Sequence, residues 1–340
     1  MRAMADDRRA NPANRREMLL QLLRLGGAGA AVGGAGLWLA QRSQRPEEPA
    51  APTVRHSFSI PPDPALPEMA VVQGENHTEL VRAAVAALGG IRRFVSPREV
   101  VVLKPNVAWD RTPQQGANTS PEVVAEMVKL CWEAGAAKVI VADVSINEPR
   151  GCFARSGIGE AARSQGAQVV LPEERRFREV DLGGEVLASW PVFEPFLAAD
   201  KTINLPAAKH HSLTGASLGI KNWYGILGGP RHRLHQRIHE SLADLAGFMR
   251  PALTVLDAWR VLLRNGPGGG NLEDVVLKKT VIASTDPVAL DAWAAHAYWN
   301  LDTGMLPYLE MAAARGLESA RFEDKRVESI QLLDSANLRP

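Results

Sequence analysis

Three features of this 340-residue sequence predict an α/β fold, a mostly parallel sheet with helices on both faces and a small irregular β insertion. Short apolar runs of strand length alternate with single amphipathic segments of helix length, which is the pattern of βαβ units. The helical segments open on recognisable signals, Ser120 before Pro121 and Asp286 before Pro287. The apolar runs end in polar residues such as Lys104, Asp143 and Asn204, where an open sheet of this class places its ligands.

In chain order, a first strand begins near Met69, and Leu80, Val81, Ala84, Val85 and Leu88 recur at helical spacing over 79–88. A strand over 99–103 runs into Lys104-Pro105-Asn106. Thr119 or Ser120 caps the next helix, which has Pro121 at its first position and a stop at Gly135. Strand 138–142 closes at Asp143; a helix over 158–164 and a strand over 168–171 follow. Residues 178–190 form the β insertion, read as antiparallel. The run 201–205 is a buried strand halted at Pro206, which has no N–H to donate to a ladder. Then come a helix over 236–249, a strand over 252–256 ending at Asp257, and the glycine-rich loop 265–270, read as a lid or hairpin tip. A strand over 280–284, helices over 287–298 and 305–315, and a last strand over 328–333 complete the domain.

The chain divides into a leader (1–44), a proline-rich linker (45–67) and the α/β domain (68–340). In the leader, Arg15-Arg16-Glu17-Met18-Leu19-Leu20 precedes a Gly- and Ala-rich apolar stretch, Leu25 to Ala40, and the whole resembles a twin-arginine export signal. That resemblance implies the twin-arginine translocase as a partner during export and a periplasmic or otherwise extracytoplasmic location. An uncleaved signal would also tie the protein to the inner membrane. The 16-residue stretch is marginal against the ~20 residues of a stable span. With 39 basic and 38 acidic residues the net charge is +1, so no nucleic-acid partner is expected. The two cysteines, Cys131 and Cys152, form no C-x-x-C pair, and no iron–sulfur cluster is expected. Cys131 shares a helical stripe with Val124, Met127 and Val128 and reads as a buried, inert thiol.

Chemistry concentrates in residues 201–226, where Lys209, His210, His211, Lys221 and Asn222 are interleaved with Gly215, Gly219 and Gly225. Glycines of this kind let backbone approach a ligand or another strand closely. Placed at the carboxyl ends of strands, Lys104, Lys209 and Lys221 would hold a small anion, a phosphate or a carboxylate. Asn106, Asn204 and Asn222 would orient it, with Asp257 and Asp286 at further strand ends; a divalent metal bridging ligand and carboxylates is compatible with that arrangement. His210, whose side chain titrates near neutrality, is the candidate general acid or base, with Lys209 and Lys221 as its catalytic partners. His232, His235 and His239 are spaced so that one continuous helix would carry all three on one face, a second candidate for metal. No Walker phosphate loop occurs, and no G-x-G-x-x-G follows a strand.

These residues carry a resemblance. Leu103-Lys104-Pro105-Asn106, Thr119-Ser120-Pro121-Glu122-Val123, Ile203-Asn204-Leu205-Pro206 with Lys209 and His210, Gly219-Ile220-Lys221-Asn222-Trp223-Tyr224-Gly225 and Asp286-Pro287-Val288-Ala289-Leu290-Asp291 are together similar to the domain of unknown function 362 family. The resemblance implies an α/β domain, often behind a twin-arginine signal, with no settled activity. It adds Asp291 to the ligand-binding candidates. Some relatives carry cysteine-rich ferredoxin-like modules, which this chain lacks. Two functional readings stand side by side: an exported or membrane-tethered enzyme acting on a small anion, and a non-catalytic accessory protein of the cell envelope, linked to redox systems, that binds a cofactor or partner.

Overall fold

The computed structural model describes residues 56–332, Ser319 excepted. The export signal and anchor read from 1–44, the first part of the linker, and Leu333 lie outside the described residues. Among the described residues no helix is long and apolar enough to cross a membrane.

The domain opens with β1 (Met69–Gln73) and α1 (His77–Ala87), whose Asn76 cap accepts hydrogen bonds from the N–H groups of Thr78 and Glu79. Next come β2 (Val100–Pro105), α2 (Pro121–Glu133), β3 (Lys138–Ala142), α3 (Pro149–Arg155), α4 (Ile158–Ser164) and β4 (Gln168–Val170). The insertion is a separate antiparallel hairpin of β5 (Phe177–Asp181) and β6 (Ser189–Phe193), more regular than its sequence promised. The chain re-enters the main sheet as β7 (Lys201–Leu205), breaks at Pro206, and resumes as β8 (Ala207–His211), which folds back on β9 (Gly215–Ser217). The one-turn helix α5 (Gly219–Asn222) leads through 3₁₀ turns to α6 (Ile238–Phe248). β10 (Leu253–Leu262), β11 (Val275–Ser284), α7 (Pro287–Trp299), α8 (Pro307–Ala314) and β12 (Val327–Gln331) follow in the remaining described residues.

The main sheet runs β12-β1-β11-β10-β7-β2-β3-β4, and every neighbouring pair is parallel except the two that β11 makes. Helices α1 to α4 pack among themselves on one side, and α5 to α8 pack among themselves on the other. The central strands are buried on both faces; Val101, Val102, Leu103, Ile203 and Leu205 are all fully buried, as a sheet between two helical layers requires.

Two departures from the expected element pattern decide where the polar strand ends lie. β10 is twice as long as expected and continues past Asp257, so that residue sits mid-strand rather than at a carboxyl end. β11 returns antiparallel through the glycine-rich tip, because a connection of this length makes a hairpin and no helix intervenes to carry the chain back for a parallel strand. Running backwards, β11 ends with Ser284 opposite Thr254, level with Asn204 but two strands away from β7, and the chain leaves it toward Asp286 in the direction of the amino ends of the parallel strands.

Candidate functional site

β2 and β7 are paired in a register that sets Lys104 beside Asn204, and Asp143 follows directly on β3. Three adjacent strand ends thus deliver an ammonium, an amide and a carboxylate to one place. Lys104 Nζ lies 2.6 Å from Asp143 Oδ1, with both side chains almost wholly buried. The other carboxylate oxygen accepts from the Val107 N–H at 2.6 Å.

Asn222, at the end of α5, is the hub. Its Oδ1 accepts from Lys104 Nζ and from Asn106 Nδ2, both at 3.0 Å; its Nδ2 donates to the Lys104 carbonyl at 3.1 Å and to Asn204 Oδ1 at 2.8 Å. A buried amide that uses both ends in this way is fully satisfied and rigid. Lys209 Nζ closes the network on Asn106 Oδ1 (2.8 Å) and the Ala117 carbonyl (2.6 Å). Thr119 ties the loop after β2 to β7, accepting from the Asn106 N–H and donating to the Leu205 carbonyl.

Above this network opens a cavity of about 440 Å³. Lys104, Lys209, Lys221 and Arg231 line it, and the single carboxylate among its lining residues is Asp143. Arg231 is spent on backbone carbonyls, those of Val144, Ser145 and Tyr224. Lys221 is different: its Nζ lies 4.3 Å above the Tyr224 ring, and among the described residues no carboxylate or carbonyl accepts from it. Burial pushes Lys221 down to about 7, with Arg231 adding repulsion. Lys209 is likewise pushed down to about 7, by burial first and then by Lys221.

Of the two neighbouring histidines on β8, the one that lines this cavity is His211. Successive side chains of a strand face opposite sides, so with Lys209 pointing inward His211 does too, and His210 turns away. His210 Nδ1 instead accepts from the Gly266 N–H at 3.2 Å, pinning the hairpin tip. His211 Nδ1 accepts from the N–H groups of Leu213 and Thr214, which leaves its proton on Nε2 as a donor. Burial drives its pKa far down, with Lys221 next in effect, so the ring stays neutral.

The remaining candidates are placed elsewhere. Asp257 accepts from the Ser120 and Trp259 N–H groups and so fixes the start of α2. Asp286, just past the carboxyl end of the reversed strand β11, caps α7 through the N–H groups of Val288 and Ala289 and pairs with Lys325 at 2.9 Å. Asp291 is fully buried and accepts from the N–H groups of Gly219 and Ile220, holding the start of the turn that carries Lys221 and Asn222. His232 and His235 line the cavity, but residues 231–237 are 3₁₀ and Arg237 breaks the path (φ −131°, ψ 61°). His239, in α6, consequently stacks on Tyr308 of α8, and the expected common face of three histidines is lost. Among the described residues no three His, Cys, Asp or Glu side chains are grouped to hold a metal ion. Cys131 and Cys152 are free and buried, and burial pushes the Cys131 thiol up to about 12.

Arg231, Trp109 and Ser217 also line the cavity, although the sequence pattern does not single them out. Ser217 lies in Gly215-Ala216-Ser217-Leu218-Gly219, which has G-x-S-x-G spacing. It is not a nucleophile elbow: Ser217 is the last residue of β9 and is not among the residues with positive φ, so the sharp strained turn of that motif is missing.

A family model described as a domain of unknown function, DUF362, matches residues 101–296, more than half of the chain. The chain belongs to the DUF362 family. Every residue lining the cavity of this DUF362 protein falls inside the matched span. A thylakoid-associated protein of Synechocystis is 27% identical over 251 residues, covering 72% of this chain and 76% of its own. Among solved structures, the lactate racemase apoprotein of Thermoanaerobacterium thermosaccharolyticum is 13% identical with a TM-score of 0.39 over 70% of this chain. A Thermotoga maritima protein, also 13% identical, has a TM-score of 0.33 over 70% of this chain. The chain spans 60% and 57% of the lengths of those two proteins.

Proposed function

We propose that this DUF362 protein is an exported or membrane-tethered enzyme that binds a small anion, bearing a phosphate or carboxylate group, at the strand ends of β2, β3 and β7. The observation that carries the reading is Lys221: a buried ammonium, aimed into a cavity whose carboxylate is already paired with Lys104, has no counter-charge of its own. A bound anion supplies it. Lys221 and Lys209 hold the charge, Asn106 keeps Lys209 in place, the buried Asn222 fixes the turn that carries Lys221, and the His211 Nε2–H donates to the ligand. Two lysines that titrate about 7 are also suited to pass protons at working pH, which supports catalysis over passive binding. The leader's order of paired arginines, apolar stretch and proline-rich linker supports export or tethering, and a relative named as thylakoid-associated supports a membrane setting.

Sulfate, which does not titrate near neutrality, tests the reading by calorimetry. Only the protonated lysines attract it, so affinity is expected to rise as pH falls from 8.5 to 6, by up to about tenfold per pH unit for each lysine protonated on binding. Lys221→Met is expected to weaken binding at least about tenfold and to flatten that pH dependence. Binding that is equally strong in the parent and in Lys221→Met at both pH values would remove the anion site.

A further inference from the structure

We infer that the anion taken by this cavity carries an apolar body, about the size of an aromatic ring or a short acyl chain, next to its charged group; the inference rests on reading the cavity as an anion site. The walls divide by depth. The lysines are deep, with Lys209 1% and Lys221 8% exposed, whereas Ile146 and Leu213 line the same cavity at 55% and 54% exposure and, with the exposed Ser212 and His232, form its mouth. Ile146 and Leu213 are anchored there by backbone bonds: the Ile146 N–H donates to the Ala108 carbonyl, and the Leu213 N–H donates to His211 Nδ1. Trp109 and Tyr224 add aromatic wall. Isolated exposed apolar residues need no explanation, but two held at the mouth of one pocket, above aromatic walls, form a surface that a ligand body would cover. About 440 Å³ is the volume of a pocket that encloses an organic ligand, and an inorganic anion would leave most of it to water lying against apolar side chains. The same volume is too small for the paired chains of a membrane lipid, so the ligand is a soluble amphipathic acid.

Two ligand pairs test this on the full-length chain by calorimetry: inorganic phosphate against phenyl phosphate, and acetate against benzoate. The aryl member of the pair that binds is expected to bind at least about tenfold tighter, the return on burying one ring face. The Ile146→Ser, Leu213→Ser double variant, altered only at the exposed mouth, is expected to lose that margin while binding the small anion as the parent does. Equal affinity within each pair, or a margin that survives in the double variant, overturns the inference and leaves the anion site standing. Failure of all four compounds to bind overturns both.

Discussion

Replacing Asp143 by alanine is expected to destabilise the domain by about 3–5 kcal/mol, the usual result of removing one partner from a buried ion pair. Lys104 would keep its hydrogen bonds to the Pro105 carbonyl and Asn222 Oδ1 but would hold an uncompensated charge at 1% exposure. Burial already lowers its pKa, and Asp143 is what opposes that shift. The Val107 N–H would lose its acceptor as well. Gly225→Ala is expected to do comparable damage without touching either charge, since its Cβ would come within 1.9 Å of Asp143 Oδ1 and 2.5 Å of Lys104 Nζ. The backbone cannot simply retreat, because the Gly225 carbonyl accepts from the Val144 N–H at 2.8 Å. The two substitutions act on one pair, so in urea unfolding the Asp143→Ala, Gly225→Ala double variant should be far less than additive. A Gly225→Ala protein within about 1 kcal/mol of the parent would show that the pair is looser than this geometry.

Asp291 should make stability fall as pH rises through the acidic range. Burial pushes its carboxyl up to about 7 from an ordinary 3.8, in spite of the two backbone N–H groups that favour the charged form. Between those values the folded state holds a proton that the unfolded state has released. The stabilising contribution is therefore complete below about pH 4 and is lost by about pH 7, with an upper bound near 4 kcal/mol for a shift of about three units. Asp291→Asn removes the titration. Unfolding free energies at pH 4.5 and 7.5 should thus show the parent falling relative to Asp291→Asn, by up to the same amount. Lys209 and Lys221 work in the other direction and over a different window: folded near 7 and unfolded near 10.5, they make stability rise from about pH 7 upward, toward a full contribution lost again only on acidification. They are common to both proteins and cancel in the comparison. A parent and variant that keep a constant difference across the range would mean that Asp291 is ionised throughout and is merely a cap.

Much of the site could be read without coordinates. Lys104, Asn106, Asn204, Lys209, Lys221 and Asn222 all stand out as polar residues at the ends of apolar runs or among closely spaced glycines, and the structure gathers all six into one network or its cavity. His211 is legible too once 207–211 is taken as a strand: alternation alone pairs it with Lys209 and turns His210 away. Pro206 hides that strand, since the break it imposes looks like an end rather than an interruption. Arg231 leaves no signal, because its role depends on three carbonyls, two of them contributed by a segment far from it in sequence.

Element type, chain order and the polar character of the strand ends are local properties, carried by side-chain periodicity and by proline and cap residues over a few positions, and for that reason they could be written down from the amino acids. Strand direction is not local. A strand covered on both faces has the same apolar composition whichever way it runs, so nothing in 275–284 announced that β11 is reversed, and the reversed strand leads Asp286 to the cap of α7 and to Lys325 rather than into the cavity. The same holds for 231–239, where packing replaces one continuous helix by 3₁₀ turns and separates His239 from His232 and His235. Composition told which residues had chemistry to offer; long-range pairing selected the ones that meet.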